Sequence, residues 1–200
     1  MLKSVLAAAS AVCVMGVAGA SAAVIDFEGY AATTDTLYPS PLIEDGYQLI
    51  GNGAGNDYYV VGSTSSGYSG STAVIPFGNE THTFSAIDGS AFNLVSIDLI
   101  ENSWAQNIAG SVTFTGVFAG GGTIDQTFMT DGIFGPETFF FSGFSGLVSL
   151  VFTYTELDIY EDRPQIDNLV VEPVPVPAAL PMFGAALAGI GWFRRRASRP

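Results

Sequence analysis

The stretch Val148-Ser149-Leu150-Val151-Phe152-Thr153-Tyr154 decides the class of fold. Val148, Leu150, Phe152 and Tyr154 alternate with Ser149, Val151 and Thr153, and that period of two belongs to a strand with one buried face. Val112, Phe114 and Phe118 alternate in the same way with Thr113, Thr115 and Val117. Working outward, similar short runs fall near residues 24–28, 46–50, 58–62, 72–77, 81–86, 92–100, 123–129, 137–142 and 165–172. Clusters of Gly, Asn, Asp and Ser separate them, and no ten-residue stretch has the 3.6-residue period of an amphipathic helix. Many short strands joined by Gly-rich turns predict an all-β sandwich or barrel.

Charge is distributed unevenly along the 200 residues. Lys3 lies near the start, Arg194, Arg195, Arg196 and Arg199 lie near the end, and Arg163 is the one basic residue between them. All 19 acids fall between Asp26 and Glu172, so the formal charge of −13 understates how acidic the middle is. Nucleic acid is excluded as a partner, because a phosphate backbone is held by Lys and Arg clusters that this segment lacks. Cys13 is the sole cysteine and lies in the first apolar run, so disulfide and thiolate chemistry are absent from the middle. Val12 before it lacks the small side chain that lipid attachment at a cysteine usually requires.

Residues 1–23 combine Lys3, an apolar run from Val5 to Val17 and the small residues Ala20, Ser21, Ala22 and Ala23. These are the three parts of a secretory signal peptide, with cleavage expected after Ala22 or Ala23 and the secretion machinery as partner. Residues 24–172 are the expected β-domain. Residues 173–200 begin with prolines at 173, 175 and 177, which suit an extended linker. An uncharged run follows from Met182 to Phe193, and Arg194, Arg195 and Arg196 close it. The 17 residues from Pro177 to Phe193 sit at the lower limit of about 17–25 for a transmembrane helix, and the arginines would stop it on the cytoplasmic side.

The order of Val174-Pro175-Val176-Pro177-Ala178, short apolar segment and arginine cluster resembles the PEP-CTERM class of sorting signals, in its VPLPA variant, with Val176 where that variant has leucine. The resemblance covers roughly residues 174–196. It implies an exosortase as partner, transient anchoring in the inner membrane, removal of the tail, and transfer to the cell surface or extracellular polymer. A second, looser resemblance lies in Val24-Ile25-Asp26-Phe27-Glu28-Gly29 and Gln165-Ile166-Asp167-Asn168-Leu169-Val170-Val171. These look like the first and last strands of jelly-roll modules related to carbohydrate-binding domains. That likeness implies a jelly-roll-like β-sandwich of eight or more strands whose two ends pair side by side.

Candidate chemistry is sparse. His82, the single histidine, lies in Thr81-His82-Thr83 and reads as a sheet-surface residue rather than the base of a nucleophilic triad. Zinc sites of several His or Cys are unavailable. A glycosidase needs only two carboxylates, and nothing in the sequence selects a pair among the 19 acids. Hard cations take carboxylate and carbonyl oxygens. Glu156, Asp158, Glu161 and Asp162 precede a closing strand that carries Asp167, near which Asp26 and Glu28 would lie if the first and last strands pair. A calcium site of Asp26, Glu28, Asp158 and Asp167 and a merely solvated acidic loop both remain open. Asn52-Gly53-Ala54-Gly55-Asn56-Asp57 matches one unit of a Gly-rich calcium repeat and reads as a turn, because that motif works in stacked copies.

Polysaccharide binding would use exposed aromatics with amide or carboxylate neighbours. The candidates are Tyr58, Tyr59, Tyr68 and Trp104, the last beside Asn102, Gln106 and Asn107, whereas Phe139, Phe140 and Phe141 read as core and edge packing. The expectation is an exported, noncatalytic surface or matrix protein that binds polysaccharide. A glycoside-active enzyme and a purely structural protein are the alternatives.

Overall fold

The computed structural model describes residues 21–51, 56–77, 81–101, 108–154 and 163–174. Ala20–Val174 form one compact unit. Its strands are β1 (Ala23–Ile25), β2 (Thr36–Pro39), β3 (Leu42–Glu44), β4 (Tyr47–Gly51), β5 (Asn56–Val60), β6 (Val74–Pro76) and β7 (His82–Ala86). After them come β8 (Phe92–Ile100), β9 (Ser111–Phe118), β10 (Thr123–Met129), β11 (Glu137–Phe140), β12 (Leu147–Tyr154) and β13 (Gln165–Pro173). One 3-10 turn, Glu28–Tyr30, is the only helical element among the described residues. No helix among them is long and apolar enough to cross a membrane. Residues 1–20 of the leader, the sorting tail after Val174, Asp158 and Trp104 lie outside the described residues.

Every strand pair is antiparallel, and hydrogen bonding connects all thirteen strands. The network divides into two layers at a junction of one residue pair, Leu147↔Phe92 between β12 and β8. One layer runs β2-β5-β6-β13-β8-β11, with β1 also on β13; the other runs β3-β4-β7-β12-β9-β10. From β7 onward the chain passes repeatedly between layers, as β7, β8, β9–β10, β11, β12 and β13 alternate sides.

Alternation in the sequence supplies the core. Phe92 of the first layer meets Tyr47 and Phe84 of the second with ring centroids 5.7 and 5.5 Å apart. Farther along, Phe139 of β11 stacks on Phe128 of β10 at 4.9 Å, and Phe114 contacts Phe152 at 5.0 Å. Full burial of each such ring contributes about 1.5–3 kcal/mol, and edge-to-face contacts add to it. Gly116 in β9 leaves the space that the core needs, since a Cβ there would meet Leu147 Cδ2 at 2.9 Å.

The predicted runs recur as strands, with two additions. Thr36–Pro39 and Leu42–Glu44 are strands that the sequence pattern does not predict, because Pro39 and Pro41 punctuate them. Both lie at the edges of the strand order, where a missing backbone N–H leaves no ladder bond unmade. The expected pairing of first and last strands is present as Ala23↔Val171, Val24↔Val170 and Ile25↔Leu169.

Candidate functional site

Asp98, Thr138, Asn168 and Phe140 share the outer face of the first layer. Register puts them there: Thr138↔Asp98 and Phe140↔Ser96 pair β11 with β8, and Asp98↔Asp167 and Ser96↔Val170 pair β8 with β13. Ile97 and Leu99 point into the core, so Asp98 points out. The same argument applies to β11. Phe139 and Phe141 pack inward, so the ring between them must face outward, and Phe140 is 69% exposed. Its expected role in packing is therefore corrected. The signal was present in Phe139-Phe140-Phe141, since three consecutive strand residues cannot share a face.

A bulge sets the polar groups. Register shifts between Asp167 and Val170, and Asn168 adopts φ 46°. This left-handed position suits Asn better than most side chains and turns its amide along the sheet. Asn168 Nδ2 donates to Asp98 Oδ2 at 2.9 Å, while Thr138 Oγ1 donates to Asp98 Oδ1 at 2.6 Å. The Asp98 carboxylate is thus held from both sides, with Phe140 one pleat away on β11.

Asp167 continues this row under the β5–β6 connection. It is 1% exposed and accepts hydrogen bonds from Ser71 Oγ and from the Asn168 amide, the latter at 2.7 Å. Burial, with the Asp98 and Glu28 charges as lesser contributions, pushes its carboxyl up to about 7 against the opposing pull of those two hydrogen bonds. Glu28 accepts from the Thr72 amide at 2.8 Å and its hydroxyl at 3.0 Å. Glu28 and Asp167 are therefore neighbours, as the pairing of terminal strands implied. Both engage the 71–72 segment.

Of the expected metal set, Asp158 lies outside the described residues, while Asp26, Glu28 and Asp167 lie within them. Asp26 accepts the Glu28 amide at 3.1 Å and lies beside Glu44. Among the described residues the group of acids with metal-ligand spacing is Glu101, Asp131 and Glu137, whose oxygens lie within 4.8 Å of one another. Glu101 is fully buried and accepts the Gly132 and Gly135 amides at 3.1 and 3.2 Å. Glu137 Oε1 accepts the Asp131 amide at 2.9 Å, and burial, followed by the Asp131 and Glu101 charges, raises its carboxyl against that hydrogen bond. Sequence alone hides this trio, because Glu101 follows β8, Asp131 lies in the β10–β11 connection and Glu137 opens β11.

The expected exposure of Tyr58 and of His82 is also corrected. Tyr58 is fully buried and offers no face to a sugar. Tyr59 is half-buried, and burial together with a hydrogen bond to the Asp35 carboxylate raises its hydroxyl. His82 lies inside the sandwich rather than on its surface, because it shares parity with Phe84 and Ala86. Its Nδ1 is 3.3 Å from the Tyr58 hydroxyl, its Nε2 is buried without a hydrogen-bond partner, and burial plus the Arg163 charge lowers it to about 4.

No family model and no curated protein matches the chain. Among solved structures it is similar to two point variants of a family 29 carbohydrate-binding module, both at 13% identity, with TM-scores of 0.41 and 0.42. Each comparison covers 76% of this chain and 85% or 91% of the other. A family 29 carbohydrate-binding module from Piromyces equi matches at 10% identity and a TM-score of 0.40, over 76% of this chain and 89% of that one. At such scores the likeness carries no argument about ligand, which has to come from the residues.

Proposed function

We propose that this chain is an exported, noncatalytic surface protein whose β-sandwich binds polysaccharide on the outer face of the first layer. On this reading the tail from Val174 to Arg196 is read by an exosortase and removed, leaving the domain at the cell surface or in extracellular polymer. The observation that carries the binding part is an exposed aromatic, Phe140, beside a carboxylate whose orientation is fixed by Thr138 and Asn168. An aromatic face packs on the C–H side of a sugar ring, while carboxylate and amide groups fix its hydroxyls. The sheet supplies a flat support, with Val24 and Val170 continuing the row of Phe140 and Ser96.

A glycoside-active enzyme would need an open pair of carboxylates. The acid trio is a poor fit, because Glu101 is fully buried. A glycan array tests the proposal. Binding to at least one polysaccharide class that weakens tenfold or more in Phe140→Ala is expected. Undiminished binding by that variant would move the site elsewhere, and hydrolysis of a bound glycan would overturn the noncatalytic reading.

A further inference from the structure

We infer that the polysaccharide recognised by this face is cationic, a chain of amino sugars carrying free ammonium groups. The inference rests on the binding reading just given and names the class of ligand. It begins with what the surface lacks. From Val24 to Glu172 there are 19 acids and one Lys or Arg, Arg163, and that side chain is only 3% exposed. The single histidine, His82, is fully buried. The domain therefore presents no basic side chain to solvent, and a uronic or sulfated polymer would meet like charge with no cation to pair with.

The face also has what an ammonium group needs. Asp98 keeps acceptor capacity beyond its bonds to Thr138 and Asn168, since an ionised carboxylate has about four lone-pair sites. Phe140 lies diagonally across the β8–β11 pair from Asp98, within reach of one saccharide unit. An aromatic face attracts both the C–H side of a sugar and a cation, so one amino sugar can place its ring on Phe140 and its ammonium toward Asp98. Glu28, in the 3-10 turn, adds negative charge near Asp167. A polymer repeats the ammonium at every unit, which multiplies a weak contact.

The test uses the full chain in a polyoxyethylene detergent, which carries no sugar. Calorimetry compares soluble chitosan oligosaccharides with the same oligosaccharides after N-acetylation, a neutral glucan and a polyuronate. The expected result is at least tenfold tighter binding of the free-amine form than of the acetylated form, with no binding of the polyuronate. Asp98→Asn should erase most of that preference, and Phe140→Ala should weaken both forms. Phe140 is exposed, so its replacement leaves the core intact and keeps the test valid if the Asp98 variant folds poorly. Equal affinity for both forms would overturn the ammonium inference and leave sugar binding standing. Free-amine binding that ignores both substitutions and disappears at moderate salt would be diffuse polyelectrolyte attraction and would also overturn it. Failure to bind any of the four probes would sink the binding reading itself.

Discussion

Replacing Asp167 with Asn should stabilise the protein at alkaline pH and destabilise it in acid. The folded carboxyl is pushed up to about 7 from its ordinary 3.8, chiefly because burial penalises its charge. A raised folded pKa means that the native state holds the proton more tightly than the unfolded chain does. Stability from this group is thus fully present below about pH 4, declines as pH rises through 7, and is gone above it. The rise from the ordinary value corresponds to about 4 kcal/mol, taken as an upper bound because residual solvent screens part of the charge.

Asn cannot ionise, so Asp167→Asn removes that loss at pH 8. Against this, one acceptor oxygen becomes a donor, and the bond from Ser71 or from the Asn168 amide is forfeited at about 1 kcal/mol. The variant should be about 2–3 kcal/mol more stable than the parent at pH 8 and about 1 kcal/mol less stable at pH 4. Urea unfolding of both proteins at pH 8, 6 and 4 measures the difference. The contributions of His82 and the other acids largely cancel in it, except for acids coupled to Asp167. A difference that keeps one sign and size across that range would refute the account of Asp167 as a carboxylate strained by burial.

Three other outcomes are expected. Gly62→Ala should cost about 3 kcal/mol or more, read from the shift in urea midpoint, because a Cβ there would stand 2.2 Å from the Thr34 carbonyl carbon. Millimolar calcium should raise the melting temperature by several degrees through Glu101, Asp131 and Glu137, and Glu137→Gln should abolish the rise; an equal response to magnesium would reduce the trio to a support for its turn. Replacing Pro175 and Pro177 together with Ala should leave an unprocessed, membrane-retained precursor in an exosortase-bearing host, seen by immunoblot, and a product of unchanged size would mean that the motif is not read.

The strands were legible because their information is local. A period of two shows in any seven residues, and the run from Val148 to Tyr154 lies within β12 as expected. The pairing of β1 with β13 was accessible through resemblance alone, since nothing local links residues some 145 positions apart. The site was less legible, for two different reasons. Phe140 and His82 were misread although strand parity constrains both, because composition around them was weighed ahead of direction. Asp98, Thr138 and Asn168 had no local signal. Their meeting depends on two strand registers and on a bulge at Asn168, which no single segment of sequence encodes.

On the proposed reading, the same registers would let one domain be tethered and still bind a long polymer. Ala23 lies opposite Val171, so the chain enters and leaves the sandwich at one place. Cleavage after Ala22 or Ala23 would leave Val24 and Ile25 in their ladder, with Ile25 in the core, so loss of the leader need not loosen β13. Asp98 pairs with Asp167, six residues before Pro173, and at about 3.3 Å per residue that puts the polar row roughly 20 Å from the exit point. On the proposed reading, attachment at Val174 would act on one end of β13 and the Asp98 carboxylate would lie toward the other, with Phe140 level with Val170 between them. A saccharide chain running across β11, β8 and β13 would lie perpendicular to the strand that carries the tether, so holding the domain at a surface does not obstruct the face it is proposed to use.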